Sequence, residues 1–210
     1  MRWPSRSAAP HSLPDDVRAR LRLDRHERVL AAAALEEGGW LVTSSTALIL
    51  VDVGTDVGRD VSQGAGRDVG SDAGSDVGQD AGSDAPPDAQ PAVRHLWHEV
   101  AEATWEPEER VLVVRWATPG EPGVRLRLAE PLGAVPEVVR ERVMSTYVLS
   151  QRVPVRGRRG VTVAVRRHAV DGSLLVQTVP DAGIDPNRPG TAERVAALAR
   201  ELAQQVGLRV

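Results

Sequence analysis

The sequence predicts an α+β protein in which seven antiparallel strands close on one amphipathic helix and a ββα unit follows. Three observations carry this expectation: short apolar runs separated by turn residues over 28–128, an apolar stripe at helical spacing beginning near Pro136, and a strand, Asp-Gly turn, strand, helix order toward the end.

Ser12-Leu13-Pro14-Asp15 resembles a capping box and predicts a short helix reaching about Leu23. Arg28 to Leu35 is rich in Val and Ala and reads as a strand; Gly38-Gly39 turns the chain, Trp40 to Thr43 is the second strand, and Ala47 to Val51 is the third.

A repeat then interrupts the pattern. Asp recurs every fourth position at Asp52, Asp56, Asp60, Asp68, Asp72, Asp76, Asp80, Asp84 and Asp88, separated mostly by Val, Ala, Gly, Ser and Gln. Such a stretch buries too little apolar surface to offset about 1 to 2 kcal/mol per residue of backbone ordering, so it is expected to stay disordered. Calcium binding fails on spacing, because EF-hand ligands alternate and calcium-binding β-rolls repeat every nine residues.

After the repeat, Arg94 to Trp97 and Ala101 to Trp105 are expected as short strands around a Glu99-Val100 bend, followed by Val111 to Trp116 and Val124 to Leu128. Pro136 suits the first turn of the following helix. Val135, Val138, Val139, Val143, Met144, Tyr147 and Val148 fall on its apolar stripe. Seven antiparallel strands closed by such a helix is the element order of a pleckstrin-homology-like (PH-like) barrel. In the ββα extension, Val161 to Val165 and Leu174 to Val179 flank Asp171-Gly172, and Thr191 caps a helix carrying Val195, Leu198, Leu202 and Val206. The expected division is a disordered tail at 1–11, a barrel domain from 12–51 and 93–151, a disordered insertion at 52–92, and an extension at 152–210 that packs on the barrel.

Composition excludes several chemistries. The chain has no cysteine, so disulfides, thiolate metal sites and a cysteine nucleophile are absent. All 26 basic residues are arginine, which removes a P-loop lysine, a Schiff-base lysine and a Ser-Lys dyad. The start MRWPSRSAAPHS lacks an apolar segment behind its positive charge, and the longest apolar run, Val29 to Leu35, is far short of the ~20 residues a membrane span needs. A cytoplasmic protein without membrane insertion is expected.

Several strings, Glu27-Arg28-Val29-Leu30-Ala31-Ala32-Ala33, Gly39-Trp40-Leu41-Val42-Thr43, Leu96-Trp97-His98-Glu99-Val100 with Trp105, Arg140-Glu141-Arg142-Val143, and Arg159-Gly160-Val161 with Arg166-Arg167, are similar to those of a group of uncharacterised actinobacterial proteins. The resemblance covers nearly all the chain outside the repeat and the first dozen residues. It implies a PH-like barrel and no particular activity.

The candidate ligand-binding residues are basic. Arg152, Arg156, Arg158, Arg159, Arg166 and Arg167 fall within a span of sixteen residues holding no acid, and Gly157 and Gly160 would let a partner approach the backbone. The plainer reading of the same cluster is a solvated hairpin face beside Glu137 and Glu141 of the preceding helix. His95 and His98 stand three apart, so on a strand they point to opposite faces and share no metal; His26 and His168 have no evident partner. Asp181 and Asp185 could supply paired carboxylates, although Pro180-Asp181, Asp185-Pro186 and Pro189-Gly190 also read as plain turns. Trp40, Trp97, Trp105 and Trp116 fall on expected strands and are the bulky fillers of a core with no Phe.

These residues favour a non-catalytic binding or scaffolding protein that needs no cofactor and takes a protein or peptide ligand. An anion or nucleic-acid binder through Arg152 to Arg167 is the alternative, and an enzyme using Asp181 or Asp185 is the third. Phosphoinositide binding is disfavoured because the turn after the first strand, Glu36-Glu37-Gly38-Gly39, is acidic.

Overall fold

The computed structural model describes residues 13–52 and 92–209. The tail, His11, and nearly all of the repeat, with its expected disorder, lie outside the described residues.

The first sheet runs β1 (Val29–Ala34), β2 (Trp40–Ser44), β3 (Ala47–Val51) and β4 (Val93–Leu96), each antiparallel to the next. Both of its faces are covered. Leu41, Leu48 and Leu50 point into the main core, while Val42, Ala47, Ile49 and Val51 meet Leu13, Val17 and Leu21 of the segment carrying α1 (Asp15–Arg20). Two buried faces leave no position for polar alternation, which is why β3 is an unbroken apolar run. Gly39 makes the β1–β2 turn at φ +83, where a Cβ would strike the carbonyl of Val51.

A 3-10 turn at Trp97–Glu99 carries the chain into the second sheet, β5 (Val100–Glu106), β6 (Val111–Trp116) and β7 (Val124–Arg127). All seven expected strands therefore form, but as a sheet of four and a sheet of three. Besides the continuous chain at the 3-10 turn, the two meet at an isolated bridge between Leu35 and Leu128, flanked by Glu36 N–H donating to Arg127 O and Ala129 N–H to Ala34 O, each 2.9 Å. Continuous ladder pairing around a closed ring is not seen among the described residues. The main core lies between these sheets, filled by Trp97, Trp105, Trp116, Leu112 and Leu126, with Trp40 against the α1 side of the first sheet. Helix α2 (Val135–Thr146) lays Val135, Val139 and Val143 on that core.

The extension has one strand more than expected. Helix α2 stops at Thr146, and Tyr147 and Val148 open β8 (Tyr147–Arg156) instead of continuing the helical stripe, from which Met144 is also turned outward. Strands β9 (Arg159–Arg167) and β10 (Leu174–Pro180) complete a third antiparallel sheet in the order β10-β9-β8, so the unit is βββα. Helix α3 (Thr191–Gln205) covers one face of it, packing Val195, Leu198 and Leu202 on Val153, Val161, Val163 and Val165. Gly190 occupies the N-cap position of α3 and Thr191, expected as the cap, is its first helical residue. The other face meets the core, where Val179 touches Ala101 and Ala117. Among the described residues no helix is long and apolar enough to cross a membrane.

If α3 is what closes the outer face of this sheet, Leu202→Ala lowers unfolding free energy by about 2 to 5 kcal/mol in urea titration. A loss under about 1 kcal/mol would mean that the helix is not packed there.

Candidate functional site

The basic cluster maps to the β8–β9 hairpin, and the structure divides it in two. Arg156, Arg158, Arg159 and Arg167 are exposed. Arg156, Arg158 and Arg167 form no side-chain hydrogen bond or ion pair with any described residue, whereas Arg159 Nη1 donates to Ala182 O at 3.4 Å. Arg152 is already engaged: its Nη2 donates to Arg158 O at 2.9 Å and pairs with Asp181 Oδ2. Arg152 thereby ties the hairpin to the loop after β10.

Gly157 sits at the hairpin tip with φ +56. Gly160 serves the hairpin itself and not a partner, since a side chain there would run into the carbonyl of Val153 across the ladder.

Arg166 is the correction to the expected surface. Period-two alternation places Val161, Val163 and Val165 under α3 and sends Thr162, Ala164 and Arg166 to the face that meets the core. Arg166 is 0% exposed. Its Nε donates to Thr146 Oγ1 at 2.8 Å, and Nη2 to Trp97 O at 2.9 Å and Val100 O at 3.0 Å. Its guanidinium carbon lies 3.9 Å from the centre of the Tyr147 ring. Burial draws its pKa below the usual arginine value and Tyr147 pulls the other way; an arginine so held keeps its charge. Tyr147 adds a second tie, its hydroxyl donating to Ala101 O at 2.7 Å. One cation thus joins the end of α2, the 3-10 turn, the start of β5 and β9.

The two close histidines lie on different elements, His95 on β4 and His98 on the 3-10 turn, so strand alternation does not govern them, and their rings meet different partners. His95 stacks on Trp116 with ring centres 3.7 Å apart, and burial lowers its pKa against the opposing pull of Glu121 and Glu99. His98, from the 3-10 turn, meets His168 at 4.4 Å between ring centres.

A further buried charge was not signalled by the sequence pattern. Glu27 has a side chain 1% exposed and accepts from Arg94 Nη2 at 2.5 Å, Thr46 Oγ1 at 2.6 Å, Asp24 N–H at 3.3 Å and the Ser44 hydroxyl. Burial alone would raise its pKa, but these hydrogen bonds, led by Arg94, hold it below 4.5.

Asp181 and Asp185 are spent on their own chain. Asp181 Oδ2 accepts from Gly160 N–H at 2.7 Å as well as from Arg152, and Asp185 Oδ1 accepts from Asn187 N–H at 2.9 Å. An enzyme at this loop is expected to turn Arg166 or Arg188 toward it, and Arg166 faces the core instead. Among the described residues no group of three or more His, Asp or Glu side chains is arranged to hold a metal ion. No protein-family model, curated protein or solved structure matches the chain.

Two outcomes follow. Arg166→Gln takes the guanidinium donor from Val100 O and leaves Trp97 O with only the Val100 N–H, at about 1 to 3 kcal/mol for a buried acceptor left unsatisfied; Arg166→Lys also destabilises because one ammonium cannot span the same fork. Urea unfolding measures both, and full recovery in the lysine variant would contradict the role of the fork. For Glu27 the folded pKa lies below the unfolded value, so its contribution is complete above about pH 4.5 and is lost as pH falls through the folded value. The urea midpoint of Glu27→Gln should therefore trail the wild type at pH 7 and converge on it in acid; a gap that does not change with pH contradicts this.

Proposed function

We propose that this protein is a non-catalytic binding module whose ligand is an extended, acidic segment of a protein partner, added as a strand alongside β8. The observation that carries the proposal is the exposed edge of that strand. It pairs with β9 on one side and with no described residue on the other, and six of its ten residues are exposed. An unpaired row of backbone donors and acceptors is a template for an added strand.

Its side chains favour one kind of occupant. Near one end stand the exposed Met144, at 62%, and Val148, at 37%; toward the other stand Arg156 and Arg158. Pro154 and the irregularities near Leu149 and Arg156 shorten the usable ladder. The arginines oppose pairing with a second copy of the same edge and suit a segment with acidic side chains.

In the same proposal the first seven strands and α2 are a PH-like barrel, here the rigid support to which the βββα unit is fixed, and the protein works in the cytoplasm. The two-sheet core, its Leu35–Leu128 joint and the helix across it support that relation. The second reading, an anion or nucleic-acid binder, draws support from Arg156, Arg158 and Arg167, whose side chains have no partner among the described residues. Against it, Arg152 is paired, Arg166 is buried, and Tyr147, the one tyrosine, lies under Arg166 where no base could stack.

A phage-displayed library of extended peptides, panned on the full chain, is expected to enrich acidic sequences. A selected peptide should lose about tenfold in affinity when Arg156 and Arg158 are both replaced by alanine, with the loss shrinking at high salt. N-methylation of alternate peptide amides should abolish binding. Unchanged affinity after N-methylation rules out strand addition, and tight binding of a single-stranded oligonucleotide in place of any peptide supports the second reading.

A further inference from the structure

The contact between the 3-10 turn and the β9–β10 loop contains a titratable hydrogen bond. His98 is only 7% exposed, and its Nδ1 accepts from the backbone N–H of Ala169 at 3.3 Å. The loop that supplies this N–H is tightly organised: His168 N–H donates to Ser173 O at 2.7 Å, Gly172 N–H to His168 O at 3.0 Å, and Asp171 Oδ1 accepts from Ser173 N–H at 2.9 Å and Ser173 Oγ at 2.7 Å. Its Ala169 side chain packs on the main core, and among the loop's backbone groups the Ala169 N–H is the one tied to the His98 ring.

We propose that His98 is an acid-sensitive latch: protonation at Nδ1 removes the acceptor that Ala169 N–H requires and releases the 168–173 loop from the 3-10 turn. A protonated Nδ1 is a donor facing a donor, which turns a hydrogen bond into a repulsion. The added charge would also be poorly placed. The groups facing His98 are His168 and Asp171 from the loop, Arg166 from β9, and Glu99 beside it on the turn. Arg166 is a buried cation, and the His168 ring is 4.4 Å away. Of the two carboxylates, Glu99 is held by Leu96 N–H at 2.8 Å and Asp171 by Ser173, so neither is free to turn fully toward the ring.

Burial first, and then His168, hold the His98 pKa below its ordinary value, so the latch is closed at neutral pH. Because the folded value lies below the unfolded one, the stabilisation it provides is whole above about pH 6.5 and is lost as pH falls through the folded value.

The test is amide hydrogen exchange of Ala169 in the full chain between pH 7.5 and pH 5, corrected for intrinsic exchange and run beside an NMR titration of the His98 ring. The expected result is a loss of about tenfold in Ala169 protection that follows the His98 titration, while Val163 amide protection in β9 is unchanged. In His98→Asn the side-chain oxygen takes the acceptor position without titrating, so protection should persist across the range. The proposal is overturned if His98 titrates without any change at Ala169, if His98 does not titrate in the folded protein, or if His98→Asn loses protection as the wild type does. The comparison of ring and amide within the wild type decides the matter even if the variant folds poorly.

Discussion

The structure depends on a single cation taken out of water. Arg166 lies wholly buried where the third sheet meets the two-sheet core, and no carboxylate of the described residues lies within ion-pair distance of it. Moving a charge into such a place costs several kcal/mol even after relaxation, so it persists only where donors are matched by acceptors. Here the acceptors are the backbone carbonyls of Trp97 and Val100 with the Thr146 hydroxyl, and the face of Tyr147 covers the guanidinium. These carbonyls sit where the chain leaves one sheet for the next and needs partners. The cation and the corner thus satisfy each other, and the fit fixes how the C-terminal unit docks in a way that apolar contact alone would not.

That constraint organises the layers around it. The first sheet is sealed by α1 on one side and the main core on the other, and the third sheet lies between the core and α3. Glu27 plays a related part close by, where a buried carboxylate gathers the donors of the β2–β3 turn and Arg94 on β4, and Trp97 donates to that same turn at Thr46 O and Ser44 O. Two buried charges, each answered by hydrogen bonds and linked through Trp97, sit in a fold whose layers are otherwise joined by Val, Leu and Trp. What remains outward on β8 and its hairpin tip is a strand edge and two arginines, Arg156 and Arg158, with no partner among the described residues, and the proposed binding role rests on that surplus.

Much of this was legible in the residues. The seven core strands stand near where their apolar runs and turns put them, because each run is short and bounded by Gly, Pro or acidic residues. Strand β8 was hidden for a physical reason. An apolar stripe at helical spacing runs through Met144, Tyr147 and Val148, and two bulges break the alternation of Leu149, Val153 and Val155 that would have marked the strand. Arg166 was misplaced for another. Its parity with Thr162 and Ala164 was readable, but nothing local says that this face is covered by a core built from residues some 65 to 70 positions earlier. The same distance hid the meeting of His98 with His168.

The central claim, a buried guanidinium hydrogen-bonded to backbone carbonyls at the joint between the sheets, is tested most directly by arginine side-chain NMR in the intact protein. After transfer to D2O at neutral pH and low temperature, one arginine Nε–H should remain visible long after the others have exchanged, and that signal should be missing from Arg166→Lys. If every arginine Nε–H of the wild type vanished together, Arg166 would be in contact with water and the docking of the third sheet would need another explanation.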